Sequence, residues 1–141
     1  MVKISQIKAR EILNSKRVPT IEVELETDSN RCLASVPSGT SKGIHEALEV
    51  DVKKAVKKIR EIIAPQLVGK NPVKQKEIDS FLIKLDGTKN KSRLGANAIL
   101  AISIAVLRAG AKAQKLPLWK WISRLAGTKP LLPAPSVLFF E

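Results

Sequence analysis

The sequence contains no tyrosine, one cysteine and one histidine, and only 4% of its 141 residues are aromatic. The single thiol, Cys32, cannot form an internal disulfide, which favours a cytoplasmic protein and a place in the core for this residue. With His45 as its only histidine, the chain lacks the ligands of an ordinary zinc site, and His45 is expected in a loop or helix cap. The scarcity of rings also argues against a surface on which basic residues alternate with base-stacking aromatics.

The sequence has no long apolar run either. Its most apolar stretch, Ala98 to Leu107, is interrupted by Ser103 and flanked by Arg93 and Arg108, and it is shorter than the roughly 20 residues of a membrane-spanning helix. The amino terminus shows no basic segment followed by an apolar core and a cleavage site. These patterns predict one folded domain without membrane contact, in which this stretch forms a buried helix.

Acidic residues are few: 13 Asp and Glu stand against 25 Lys and Arg, which gives a net charge of +12. A chain this basic attracts polyanions without any specific site. Two interpretations fit, a solvated lysine-rich surface of the kind found in heat-adapted proteins, which predicts only weak non-specific nucleic-acid binding, and a dedicated polyanion-binding module. The first also accounts for the basic residues on the polar side of one amphipathic helix, which are Lys53, Lys54, Lys57, Lys58 and Arg60.

The first third of the chain is predicted to form strands over residues 2–13, 20–27 and 31–36. In the second strand apolar residues alternate with glutamates, which is typical of a strand with one buried face. The apolar positions are Ile21, Val23 and Leu25, and the glutamates are Glu22, Glu24 and Glu26. Because the connections at 14–19 and 28–30 are short, the strands are predicted to form an antiparallel meander.

Beyond Gly43 the apolar residues recur with a helical period. The pattern predicts a helix that has Glu46, Glu49 and Asp51 at its N-terminal end and that Pro65 stops near its end. It predicts three more helices over 74–85, 92–114 and 118–126. The predicted fold class is α+β, a three-stranded antiparallel β-meander followed by a layer of about four helices. The domain is predicted to span residues 1–128, and residues 129–141 are predicted to form a proline-rich apolar tail.

The glycine-rich stretch Val36 to Glu46 connects the third strand to the first helix. Its residues 39–43 match the nucleophile elbow of serine hydrolases, but His45 is too close in sequence to serve as the triad base. A phosphate-binding loop would need Gly-Lys-Ser/Thr at the helix start, and this chain has Ser-Lys-Gly. An ordinary connection and a flexible loop that offers hydroxyls and amides to an anion therefore both stay open.

Four separated motifs occur in the order found in the amino-terminal domain of enolase. They are Ala9-Arg10-Glu11-Ile12-Leu13 through Pro19-Thr20; Val36-Pro37-Ser38-Gly39 through Gly43 with Glu46-Ala47-Leu48-Glu49; Leu85-Asp86-Gly87-Thr88-Lys89-Asn90-Lys91-Ser92; and Leu94-Gly95-Ala96-Asn97-Ala98-Ile99-Leu100. Leu116-Pro117-Leu118 and Leu125-Ala126-Gly127 continue the match. The chain therefore resembles this domain over nearly its whole length, and the resemblance implies the same meander and helical layer.

The resemblance also implies roles for individual residues. Ser38, Gly39, Thr40, Ser41, Lys42 and Gly43 correspond to a mobile lid over the active site, and Ser41 corresponds to a contact of the second magnesium ion. The family's catalytic carboxylate and lysines, and the ligands of its first magnesium ion, lie in a barrel domain that follows. No catalytic residue and no complete metal site are therefore expected within this chain, and magnesium is expected only by resemblance.

Three functions follow from these observations. The first is a stand-alone enolase-like domain that has no activity alone and acts through association, as a homo-oligomer or with a barrel-containing chain. The second is a component or fragment of a magnesium-dependent enolase, a glycolytic lyase that converts 2-phosphoglycerate to phosphoenolpyruvate. The third is the polyanion-binding module. Self-association or the binding of a partner is expected through the first hairpin and the apolar side chains of the tail, which are Leu131, Leu132, Val137, Leu138, Phe139 and Phe140.

Overall fold

The structure, a computed structural model, describes residues 1–37 and 43–132. Its strands β1 (Ile4–Leu13), β2 (Pro19–Thr27) and β3 (Arg31–Ser35) form one antiparallel sheet in the order β1-β2-β3. The register sets Ala9 opposite Val23, and Val23 opposite Ala34, so that these small and branched side chains share the buried face. The predicted meander is confirmed.

The helical part begins with one continuous segment made of α1 (Val52–Lys58), a π-helical turn (Ile59–Ile63) and α2 (Ala64–Leu67). Asp51 caps its start, because its carboxylate accepts a hydrogen bond from the Lys54 N–H at 3.1 Å. Pro65 lies near the end of the segment, as predicted, but does not itself stop it. It lies just after the π-helical turn, inside the continuous segment, and helical structure continues past it to Leu67.

Three further helices follow, α3 (Gln75–Asp86), α4 (Ala96–Ala113) and α5 (Leu118–Ala126). Helix α3 ends on Gly87, which has a φ of 70°, and α5 has the predicted bounds. The prediction that the third helix begins at Ser92 is wrong. Gly95 has a φ of 103°, outside the helical region, so α4 begins only at Ala96.

Helix α4 lies at the centre of the fold, as predicted, and packs across β2 and β3. Small side chains let it approach the sheet closely; these buried residues are Ala98, Ala101, Ala105 and Ala109. Cys32 is also buried, as predicted. Among the described residues α4 is the one helix that could cross a membrane by length and composition, but half of it is buried inside the domain, as in the core helix of a globular protein.

Cationic side chains from the helices cover both free edges of the sheet. At the edge of β1, the Arg60 Nε donates to the Ala9 carbonyl at 2.9 Å. At the edge of β3, Arg108 donates to the Leu33 carbonyl, and the Lys112 Nζ donates to the Arg31 carbonyl at 2.6 Å. Side chains bound at these edge carbonyls obstruct the approach of an added strand.

Candidate functional site

The loop that the sequence singles out lies between two flanks that the structure describes. Ser38, Gly39, Thr40, Ser41 and Lys42 lie outside the described residues, whereas Gly43 is described and exposed. His45 lies in a turn just beyond, as expected. What the structure establishes about this site is therefore how the chain is held immediately before and after the loop.

The first flank is fixed to the central strand of the sheet. The Thr20 hydroxyl donates to the Val36 carbonyl at 2.6 Å, and the Val36 N–H donates to the Ile21 carbonyl at 3.1 Å. Val36 is only 3% exposed, while Pro37 beside it is exposed. The chain is thus buried and hydrogen-bonded at Val36, two residues before residue 38.

The second flank is fixed at Leu48. Its N–H donates to the Asn90 carbonyl at 2.7 Å, and its carbonyl accepts from the Ala96 N–H at 2.8 Å. One peptide partner belongs to the turn after α3, and the other is the first residue of α4. The loop therefore returns to the fold at the junction of these two helices.

Asn97 strengthens the same junction through its side chain. Its Nδ2 donates to the Val50 carbonyl at 2.8 Å, and its Oδ1 accepts from the Val50 N–H at 3.3 Å. Asn97 is 6% exposed, and an amide buried to this extent needs such partners. Gly95 makes room for the contact, because a Cβ there would lie 2.5 Å from the Val50 Cγ2 and 2.7 Å from the Asn97 Oδ1.

Asp86 orders the turn that leads to this junction. Its carboxylate, 1% exposed, accepts hydrogen bonds from the Leu94 N–H at 2.7 Å, from the Thr88 N–H at 2.9 Å and from the Thr88 hydroxyl. Burial acts to raise the pKa of the Asp86 carboxyl, but these bonds and nearby Lys91 outweigh it and hold the pKa below its ordinary value of 3.8. Asp86 therefore stays ionised and keeps the turn closed at neutral pH.

Sequence reasoning missed the roles of Asp86 and Asn97, although both lie within quoted motifs. The available signal was positional. Asp86 precedes a glycine at a helix end, and Asn97 follows Gly95 at a helix start; both are polar residues where an apolar stripe meets a turn.

A cleft of about 430 Å³ lies between the two flanks. Its polar lining includes Thr20 and Asn97, together with the exposed carboxylates of Glu11, Glu49 and Asp51 and the ammonium group of Lys53. The Asp51 carboxylate is already engaged as the cap of α1.

The described residues do not form a magnesium site. Across residues 1–37 and 43–132, no three His, Cys, Asp or Glu side chains are grouped so that they could hold a metal ion. Ser41, the residue that the resemblance assigns to a magnesium contact, lies outside these ranges, so this assignment stays a prediction. The cleft can position a loop and present polar groups at its rim, but its described side chains hold no magnesium ligand set.

Replacement of Gly95 by alanine tests the junction. We expect Gly95→Ala to lower the free energy of unfolding by about 2–4 kcal/mol, because it adds a steric overlap with Val50 to the cost of a positive φ. Gly69→Ala is the matched control, since Gly69 has a φ of 84° but no atom within 4 Å of the added Cβ. It should lose only about 1 kcal/mol. Urea denaturation of both variants measures the difference, and equal losses would contradict the close contact.

Replacement of Asp86 by asparagine tests the turn. At pH 7 we expect Asp86→Asn to lower the free energy of unfolding by about 1.5–3 kcal/mol, because an amide cannot accept all three bonds. A lowered pKa in the folded state gives stability that is complete above the ordinary value of 3.8 and is lost as the pH falls through the folded value.

The difference between wild type and Asp86→Asn should therefore begin to shrink below about pH 4, where the carboxyl of the unfolded chain becomes neutral, and should go on shrinking until the folded carboxyl is protonated as well. Chemical denaturation across pH 3–7 measures it. Glu77→Gln, at an exposed position on α3, is the control and should change stability by no more than about 0.5 kcal/mol. A difference that does not vary with pH would contradict the role of the charged form.

Comparison with known proteins identifies the family. Residues 4–122 match the family model "Enolase, N-terminal domain". The chain is also 45% identical over 146 aligned positions to Enolase 1 of Entamoeba histolytica, an alignment that covers 95% of this chain and 34% of that protein. The chain thus spans about a third of the length of this relative. Because the family match covers most of the chain and the fold agrees with it, the chain belongs to the enolase amino-terminal domain family.

Proposed function

We propose that this chain is a non-catalytic enolase domain that acts by associating with an enolase barrel, in the same chain or in a separate one. In this proposal residues 38–43 form a lid over the active site that the barrel provides. The observation that carries the proposal is the anchoring of both flanks of the loop. A lid that moves needs fixed ends, and Val36 and Leu48 are bonded to the sheet and to the start of α4.

The chemistry of the reaction explains why the chain would be inactive alone. Conversion of 2-phosphoglycerate to phosphoenolpyruvate needs a base that removes a carbon-bound proton, and divalent cations that stabilise the charge that develops. The described residues do not supply that cation site. The part proposed for this domain is to hold the lid, exclude water and present Ser41 when the barrel is present. Magnesium and a cytoplasmic location belong to this proposal.

An activity assay with separated domains tests it. We expect the purified chain to show no conversion of 2-phosphoglycerate, and to raise the activity of a barrel from an enolase of this family that lacks its own amino-terminal domain. Ser41→Ala should reduce that gain by about tenfold or more, in the range for loss of one preorganised contact. Ser5→Ala, at an exposed position on β1, should leave the gain unchanged.

Host enolase must be removed from every preparation for this assay. Magnesium-dependent turnover by the chain alone would contradict the non-catalytic role. Failure to bind the barrel or to raise its activity would contradict the association.

We also propose that the domain self-associates through the tip of its first hairpin. Leu13 and Val18 support this, since they are 63% and 49% exposed on either side of the turn. Exposed apolar side chains that lie together often mark an interface. Ion pairs on the neighbouring outer face of the sheet, such as that between the Arg10 Nε and the Glu22 Oε1 at 2.7 Å, could re-pair across it. The tail residues 133–141, which were expected to contribute, lie outside the described residues.

Sedimentation analysis tests the hairpin contact. We expect wild-type chain to form dimers at high concentration and Leu13→Glu to weaken the dimer by about tenfold or more, because a charge would be buried at the interface. Ile83→Glu is the control, at a position that is 49% exposed on α3. A monomer at all concentrations, or equal weakening by both variants, would contradict the proposal.

A further inference from the structure

The positive charge of the chain is concentrated in its last part. Residues 1–86 hold 16 basic and 12 acidic residues, whereas residues 87–141 hold nine basic residues and a single acid, Glu141. The described surface formed by the turn after α3, by α4 and by α5 therefore carries no carboxylate side chain. Charge of one sign over such a surface attracts partners of the opposite sign and repels copies of itself.

A groove of about 610 Å³ lies on this surface, between the outer edge of β3 and the segment from α4 to α5. We call it the β3–α4 groove. Its apolar walls include Leu33, which is 40% exposed, and Leu118, which is 36% exposed, together with Leu116. Three cations line it as well: Arg31, which is paired with Glu24, and Arg108 and Lys112, which have no carboxylate partner among the described residues. Leucine walls beside two cations suit a ligand with both apolar and acidic groups.

Arg108 and Lys112, the two lining cations without a carboxylate partner among the described residues, determine how a ligand could be held. Arg108 and Lys112 each donate one bond to an edge carbonyl of β3, so a ligand strand could not pair with this edge without displacing them. Each side chain keeps further donors, since a guanidinium has five N–H groups and an ammonium has three. Neither side chain forms a salt bridge within residues 1–37 and 43–132. Carboxylates above the groove could use these remaining donors.

We propose that the β3–α4 groove binds an acidic, apolar segment of another protein through its side chains. The carboxylates of the segment pair with Arg108 and Lys112, and its apolar side chains cover Leu33 and Leu118. A symmetric contact with the same surface of a second copy fits poorly, because that surface offers no carboxylate. Nucleic acid also fits poorly, because no aromatic side chain on which a base could stack lines the groove. Trp119 is 59% exposed but does not line it.

Titration of the whole 141-residue chain by nuclear magnetic resonance tests the proposal. The probe is a twelve-residue amphipathic peptide of glutamate and leucine, and a peptide of lysine and leucine with the same pattern is its control. We expect the acidic peptide to shift the amide signals of Leu33, Arg108, Lys112 and Leu118, and the basic peptide to leave them unchanged. Binding should weaken as salt rises, because ion pairs contribute to it.

Two variants on the same helix make the test specific. Leu118→Glu should weaken binding about tenfold, because it places a like charge against the acidic peptide. Glutamate is tolerated in the first turn of a helix, so α5 should still fold. Ile122→Glu adds the same charge at an exposed position of α5 that does not line the groove, and should change binding less than threefold.

Several results would overturn the proposal. One is that Leu118→Glu and Ile122→Glu weaken binding of the acidic peptide equally. Another is that the peptide shifts the amide signals of the α1 lysines and not those of the groove; these lysines are Lys53, Lys54, Lys57 and Lys58. A third is no shift at millimolar acidic peptide. A uridylate 12-mer or phosphatidylglycerol vesicles that shift the groove signals while the acidic peptide does not would assign the surface to nucleic acid or membrane. Because none of these measurements involves the lid or a barrel, the outcome is independent of the proposed enolase role.

Discussion

The pairing of the Asn97 amide with the Val50 peptide is the contact that holds the second flank of the loop against the helical layer. Asn97 lies in the first turn of α4, and α4 is the helix that packs across the sheet. The same helix therefore builds the core and holds the second flank of the loop. The first flank is held from the other side of that core, since Thr20 of β2 binds the Val36 carbonyl. Any movement of α4 over the sheet would change the separation of the two flanks.

The contact depends in turn on a buried charge. An ionised carboxylate that is 1% exposed is costly unless its oxygens are bonded, and Asp86 accepts bonds from Thr88 and from the Leu94 N–H. These bonds close the turn that brings residue 95 next to Val50. Position 95 needs a glycine, because its φ is 103° and a Cβ there would overlap the Val50 side chain. A carboxylate, a glycine and an amide thus act in sequence. Residues of this kind support function through the stability of the turn.

The sequence predicted those parts of the fold that follow from periodicity. The alternation of Ile21, Val23 and Leu25 predicted the meander, and Gly87 and Gly127 marked the helix ends, because each of these signals is local. The start of α4 could not be predicted in this way. The sequence pattern of residues 92–94 fits a helix, and only the structure shows the positive φ at Gly95 that makes the helix begin at Ala96. The π turn after Lys58 and the roles of Asp86 and Asn97 depend on partners that are distant in sequence. The flanks of the loop are therefore structural findings, while the role of the loop as a lid comes from the resemblance alone.

The distribution of charge separates two kinds of surface on this domain. On the outer face of the sheet, Arg31 lies beside Glu24, lowers the pKa of that carboxyl and has its own pKa raised in return, so much of the charge there is paired. On α4 and α5 the cations meet backbone carbonyls or solvent, because no carboxylate lies on those helices. The net charge of +12 is thus not spread evenly over the surface of the domain. Contacts made on α4 and α5 should respond to salt. The anchors of the loop should respond much less, because they are hydrogen bonds between neutral groups and the Asp86 charge that supports them is buried, where salt screens little. Ionic strength can therefore separate the two proposed roles of the domain.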